Sequence, residues 1–270
     1  MPLLKFPEDI KFHAHGMYLE KESHTLFVLN HAHKYGGERV EVFRLEDKNN
    51  QVVANYMRSI KITDPNVNGI LNDLTVIGDF IYIAQGGTVP KPLEGNDHSA
   101  LTGLKETFLA LFSNAGTIRK CKNTRADNQS EEIGECVEEV SGLLGFGNGI
   151  TTNGFTKLWV VDNRQRNIAE FNVEYATGKL KLNKRIDIHT IIDNLTYDEE
   201  TGNIMIATVS RGIDFVNFTN AAKKGEDLSK MTIYSGVSEL KFKDGVFEEQ
   251  EELILQGKIS SASVAVPWGK

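Results

Sequence analysis

The chain has 270 residues, 25% of them charged and 40% hydrophobic, with a formal net charge of −7. That length buries a sizeable core in one or two domains, and the composition is that of a globular protein. Interspersed signs with an acidic balance disfavour a nucleic-acid or anionic-membrane partner, no apolar run reaches the roughly 18 residues of a spanning helix, and MPLLKFPEDIKF lacks both regions of a signal peptide.

In chain order the elements are short apolar runs between Gly, Asn and Asp turns. The stretch from Lys11 to His33 holds five of the seven histidines, His13, His15, His24, His31 and His33. It opens a first unit, HGMYLE, TLFVLN and RVEVFRL. A second unit follows, NDLTVIGDFIYIAQGG with TFLALFS. The third is NGITTNGFTKLWVVDN with NIAEFNV, and the fourth DNLTYDEETGNIMIATV with IDFVNF. These lengths, rich in β-branched and aromatic residues, predict strands. Short helices are expected only near Ser99–Leu104 and Asn220–Lys224. The class is all-β, and several strands per repeated unit predict a β-propeller, with a long-looped sandwich as the alternative. A fifth opening, SASVAVPWGK, stops after one strand. The expectation is therefore one domain over residues 1–270, about four blades plus a fragment, with the ring left open.

Cys121 and Cys136 flank a polar insert and either staple a hairpin in an oxidising compartment or are two separate thiols. Sequons occur at Asn128, Asn194 and Asn217, so glycosylation is expected if the chain is secreted.

The unit openings are His15-Gly16, Asn72-Asp73, Asn148-Gly149 and Asp193-Asn194. Each dipeptide alone is ordinary turn chemistry. Repeated at the start of the innermost strand, they bring Asn72, Asp73, Asn148, Asp193 and Asn194 to one mouth of the central channel. Converging carboxylate and amide oxygens suit Ca²⁺, which takes six to eight oxygens, better than Mg²⁺.

With FHAHG…TLFVLNHA, NDLTVIGDFIYIA, GNGITTNGFTKLWVVD and IIDNLTYDEETGNIMIAT in this order, residues 10 to 217 resemble the paraoxonase (arylesterase) family. A weaker continuation runs through LILQGKISSASVAV. Strictosidine-synthase-like and gluconolactonase-like propellers share the openings more distantly. The resemblance implies a six-bladed propeller with two calcium ions that hydrolyses lactones and aryl esters, secreted or membrane-associated. By position it implies Asn72, Asn148, Asp193 and Asn194 as ligands of a catalytic calcium. Asp73 and the main-chain carbonyl of Met17 would serve a second, structural calcium. His15 would be the general base and His31 the ring that orients it.

Departures from the family pattern accompany these matches. The acidic pair of a preceding blade has no counterpart: Glu8-Asp9 leads straight into HAHG. The pocket triplet after FIYIA reads Gln85-Gly86-Gly87, and the position after IMIAT is Val209. The first blade and the closing strands are thus expected to be missing, with both calcium sites lacking a ligand. A catalytically silent propeller that binds a ligand or protein at its channel mouth is the competing expectation. A zinc cage of His13, His15, His31 and His33 competes poorly with the oxygen-rich openings. His13 and His33 are expected on loops or the blade surface, His24 in a solvated turn, His98 in a loop, His189 under a channel strand, and Trp159 in the core between blades. No Gly-x-Ser-x-Gly elbow is present, which disfavours a serine nucleophile.

Overall fold

The computed structural model describes residues 1–32, 35–87, 89–91, 116–124, 131–209, 217–218, 220–222, 224–228, 231, 234–243, 246–248, 252–253, 259–260 and 264–265. It is all-β apart from two short helical stretches, with four sheets arranged as propeller blades.

Blade I holds β1 (Leu3–Leu4), β2 (Ala14–Glu20), β3 (Thr25–Asn30), β4 (Arg39–Lys48) and β5 (Gln51–Lys61). Blade II holds β6 (Leu71–Ile77), β7 (Phe80–Gln85) and β8 (Gly116–Lys122). Next comes β9 (Glu131–Ile133), which crosses back to pair in parallel with β5 of blade I; β10 (Cys136–Leu144) then completes blade II. Blade III is β11 (Gly147–Thr152), β12 (Lys157–Asp162), β13 (Asn167–Glu174) and β14 (Lys179–Asp187). Blade IV begins β15 (Ile191–Tyr197), β16 (Ile204–Val209) and β17 (Tyr234–Leu240), with outer pieces at 252–253 and 259–260.

The apolar runs of blades I to III are continuous because both faces of those blades are buried. Alternate residues along a strand face opposite sides. Ile81 and Ile83 of β7 pack toward blade I with Leu29, Val40 and Val42, while Tyr82 and Ala84 pack toward blade III with Leu158, Val160 and Phe171. Likewise Trp159 and Val161 turn toward Ile204 and Ile206 of blade IV. Trp159 stacks on Tyr197 at 5.3 Å, so it is inter-blade core as its sequence context predicts. The remaining face of blade I, with Val28, Phe43 and Tyr56, is covered by the N-terminal segment. There Phe6 and Phe12 set their rings 5.9 Å from that of Phe43.

Two strand assignments move. Of IDFVNF only Asn217 and Phe218 are described, and they are helical; the strand that pairs with β16 as the third of blade IV is β17. The run continues into Ala221 and Ala222, good helix formers, and helical turns extend to Ala222. In blade II the third strand is β8, whose GTIRKCK is too polar to stand out as an apolar run. TFLALFS, the helix expected at Ser99–Leu104, His33 and His98 lie outside the described residues. Of SASVAVPWGK only Val264 and Ala265 are described, and neither is in a strand.

Cys121 and Cys136 are direct register partners on β8 and β10 and form a disulfide. It closes the base of the excursion that sends β9 across to blade I. Among the described residues no helix is long and apolar enough to cross a membrane.

Candidate active site

The inner strands β2, β6, β11 and β15 neighbour one another in turn. Each carries a register irregularity at its opening, between Ala14 and Met17, Leu71 and Asp73, Gly147 and Ile150, and Ile192 and Leu195. In every case the inner strand holds one residue more than its partner spans, a β-bulge. The bulge breaks alternation and re-aims side chains, so Asn72, Asn148, Asp193 and Asn194 project where a regular strand would not place them.

Glycine makes the convergence possible. A Cβ at Gly16 would lie 2.5 Å from the Asp73 Cα and 2.9 Å from the Asn72 carbonyl oxygen. One at Gly149 would lie 2.5 Å from the Asn194 Cα and 2.9 Å from the Asp193 carbonyl oxygen. Gly86 borders the Asn72 amide, with Nδ2 3.1 Å from where its Cβ would be. The departure Gln85-Gly86-Gly87 thus has a packing role.

Asp73 is buried and stitches three blades together. Its Oδ1 accepts the Leu74 N–H at 2.9 Å, its Oδ2 accepts the Ile150 N–H at 3.1 Å, and the Met17 N–H also donates to it. Burial pushes its carboxyl up to about 7, assisted by the charge of Asp193 and opposed by these donors. Asn148 donates from Nδ2 to Asp193 Oδ1 at 3.1 Å, and its own Oδ1 is buried with no hydrogen-bond partner among the described residues. Asp193 is itself raised by burial, offset by the Asn148 bond. Two mutually repelling carboxylates beside an orphaned amide oxygen fit a hard cation. Among the described residues no group of three or more His, Cys, Asp or Glu side chains gathers as a metal site, so any such site depends on amide and main-chain oxygens.

His15 and His31 come together, ring centroids 5.2 Å apart. Surrounding protein holds the His15 imidazole below its ordinary range; His31 and Lys91 push the same way and Glu38 opposes them. The residue is nonetheless exposed to solvent, which limits the shift. His13 instead stacks on Tyr35, His24 sits in an exposed turn, and Glu8-Asp9 lies in an exposed turn of the N-terminal segment. His189 is exposed beside a cavity lined by Lys184, Arg185 and Phe247, not tucked under the channel strand. Asn217 is exposed, whereas Asn194 is half-buried, with its Oδ1 enclosed.

Glu38 and Lys91 are members of this neighbourhood that motif reasoning passed over. Lys91 lies against Gly69 and just past Gln85-Gly86-Gly87, with no motif to mark it. Glu38 leads into a strand whose residues of both phases are buried, Arg39 and Glu41 as much as Val40 and Val42, so alternation does not single it out.

The raised carboxyl of Asp73 has a consequence for stability. Its folded value of about 7 exceeds the ordinary 3.8, so between these pH values the folded chain binds a proton that the unfolded chain does not. Without divalent cations, the contribution of Asp73 to stability is therefore fullest below pH 4 and is lost as pH rises to 7, on the order of 2–4 kcal/mol. Urea midpoints in chelator should decline across that window, and Asp73→Asn should flatten the decline; parallel profiles would contradict this.

No family model matches the sequence. Human serum paraoxonase/lactonase 3 is 24% identical over 224 residues, covering 82% of this chain and 55% of that protein. The chain thus spans about half the length of this curated relative. Similar solved structures include a luciferin-regenerating enzyme (12% identity, TM-score 0.46, 91% of this chain and 77% of that one). A periplasmic gluconolactonase from Pseudomonas aeruginosa aligns at 12% identity and TM-score 0.42, over 94% of this chain and 74% of that one. The calcium-binding protein regucalcin from Agrobacterium tumefaciens aligns at 11% and 0.42, over 92% and 78%. Its four sheets are set as the blades of a β-propeller, and along most of its length its sequence is similar to that of a paraoxonase/lactonase.

Proposed function

We propose that this chain carries a calcium-dependent hydrolase site for lactones and aryl esters. The observation that supports it is the buried Asn148 Oδ1 beside Asp193, without a partner among the described residues, on the inner strands that also carry the neighbourhood of the His15 and His31 pair. Asn72, Asn148, Asp193 and Asn194 would hold the ion. When bound, calcium supplies positive charge that polarises a substrate carbonyl.

The chain's own residues do the rest. His15, held below its ordinary pKa range, has a neutral ring nitrogen available near pH 7 to take a proton from the attacking water. His31 orients that ring. Asp73, already accepting three backbone N–H groups, ties β2, β6 and β11 into one frame. A second calcium would draw on its remaining lone pair and the Met17 carbonyl. The disulfide suits an oxidising, secretory route.

Calorimetric titration of the full chain with Ca²⁺, alongside turnover of lactone and phenyl-ester panels with and without chelator, tests the reading. Calcium-dependent turnover is expected, and Asp193→Asn should weaken Ca²⁺ binding at least about tenfold, a charge-assisted contact being lost. Turnover indifferent to chelator would defeat the proposal. A silent binding propeller is the second reading, favoured by Gln85 and Val209 in the pocket. It predicts calcium binding with no turnover on either panel.

A further inference from the structure

Beside the histidine pair lies a carboxylate that the proposed chemistry has not used. Glu38 is fully enclosed, and its Oε1 stands 3.1 Å from His31 Nδ1. The same oxygen accepts the Gly69 N–H at 2.6 Å, while Oε2 is buried with no hydrogen-bond partner among the described residues. The Glu38 carbonyl accepts the Ile62 N–H at 3.0 Å, and Val40 and Val42 anchor the following strand in the core. Glu38 therefore cannot swing out to solvent, and its charge must be answered from within.

A buried anion 3.1 Å from a ring nitrogen is favourable when that nitrogen carries its proton and repulsive when it presents a lone pair. In this arrangement the Nδ1–H is not aligned on Oε1, so the contact is one of charge and proximity. His31 and His15 stand at a centroid separation of 5.2 Å, close enough for one nitrogen of each ring to meet.

We propose that Glu38 is a positioning residue: its carboxylate holds the proton of neutral His31 on Nδ1, which leaves Nε2 to accept a hydrogen bond from an N–H of His15. The other His15 nitrogen is then the bare one, turned to the water. No atom is transferred to Glu38; the proton taken from water resides on His15, and Glu38 offsets the resulting charge through His31. The consequence for turnover rests on the hydrolase reading, whereas the tautomer rests on geometry alone.

The plain alternative is that Glu38 only anchors the loop at Gly69. Glu38→Gln separates the two, because it keeps an acceptor for the Gly69 N–H and removes the charge. The readout is the imidazole ¹⁵N–¹H correlation spectrum of the full-length chain, with His31 assigned by its loss in His31→Gln. The expected result is His31 protonated on Nδ1 in the wild type, with Glu38→Gln mixing the tautomers. Lactone kcat in that variant should fall about tenfold or more at unchanged KM, as expected for an interaction strengthened in the transition state. A wild-type His31 protonated on Nε2, or an unchanged tautomer in Glu38→Gln, would overturn the assignment. The wild-type spectrum needs no variant, so a Glu38→Gln chain that failed to fold leaves the question decidable. Absence of turnover on every lactone would defeat the hydrolase reading while the spectrum still decides the role of Glu38.

Discussion

A Gly149→Ala chain is expected to lose about 3 kcal/mol of stability, the upper part of the range for overpacking a closed site. The reason is what the new methyl group meets. Its three nearest neighbours are the Asn194 Cα at 2.5 Å and, at 2.9 Å, the Asp193 carbonyl oxygen and the Leu195 amide nitrogen. All belong to backbone, so no side chain can rotate away, and β11 and β15 must part. Because Asp193 and Asn194 lie at the point of contact, Ca²⁺ affinity should fall with stability. Gly154→Ala is the control: nothing lies within 4 Å of that Cβ, and the only cost is a φ of +81°, worth about 1 kcal/mol. Urea denaturation and calorimetric Ca²⁺ titration of both variants decide the matter. Equal losses in the two chains would mean that the strands do not approach as closely as described.

The second large effect is on rate. His15→Gln should reduce kcat for lactone hydrolysis roughly 10²- to 10³-fold, the usual contribution of a positioned general base. Glutamine retains size and polarity but cannot take a proton at neutral pH. His15 is exposed, so stability should change by no more than about 0.5 kcal/mol, and Ca²⁺ affinity should hold because the ring lies outside the oxygen set. Steady-state kinetics on the best lactone, paired with the calcium titration, separates base from ligand. Undiminished kcat would remove His15 from the chemistry, and a large drop in Ca²⁺ affinity would recast it as a ligand.

The reach of the histidine-rich opening stretch narrows accordingly. His13 stacks on Tyr35 and His24 occupies a left-handed turn position at φ +51°. His15 and His31 remain, with Glu38 beside them.

All-β class, the order of the four units and the residues that open each inner strand could be read from the chain itself. Strand-length apolar runs and turn dipeptides are local signals, carried by neighbouring residues. The failures were also local: IDFVNF carries a strand-like composition but runs into helix-forming alanines, and GTIRKCK hides a strand behind its lysines and arginine. Glu38 had no local signal, because the strand after it is buried at both phases and its partners, His31 and Gly69, come from other segments.

Contact between units was decided only in the folded chain. The bulge at each opening depends on how many residues the neighbouring strand spans, a count no single strand contains. The meeting of Gly16 with Asn72-Asp73, and of Gly149 with Asp193-Asn194, depends on inner strands distant in sequence packing side by side. The same holds for Asp73, whose carboxylate gathers N–H groups from β2, β6 and β11. Residue types declare which atoms can bind a cation or move a proton; only tertiary packing, by excluding water and setting strand against strand, brings them to one mouth and perturbs their protonation.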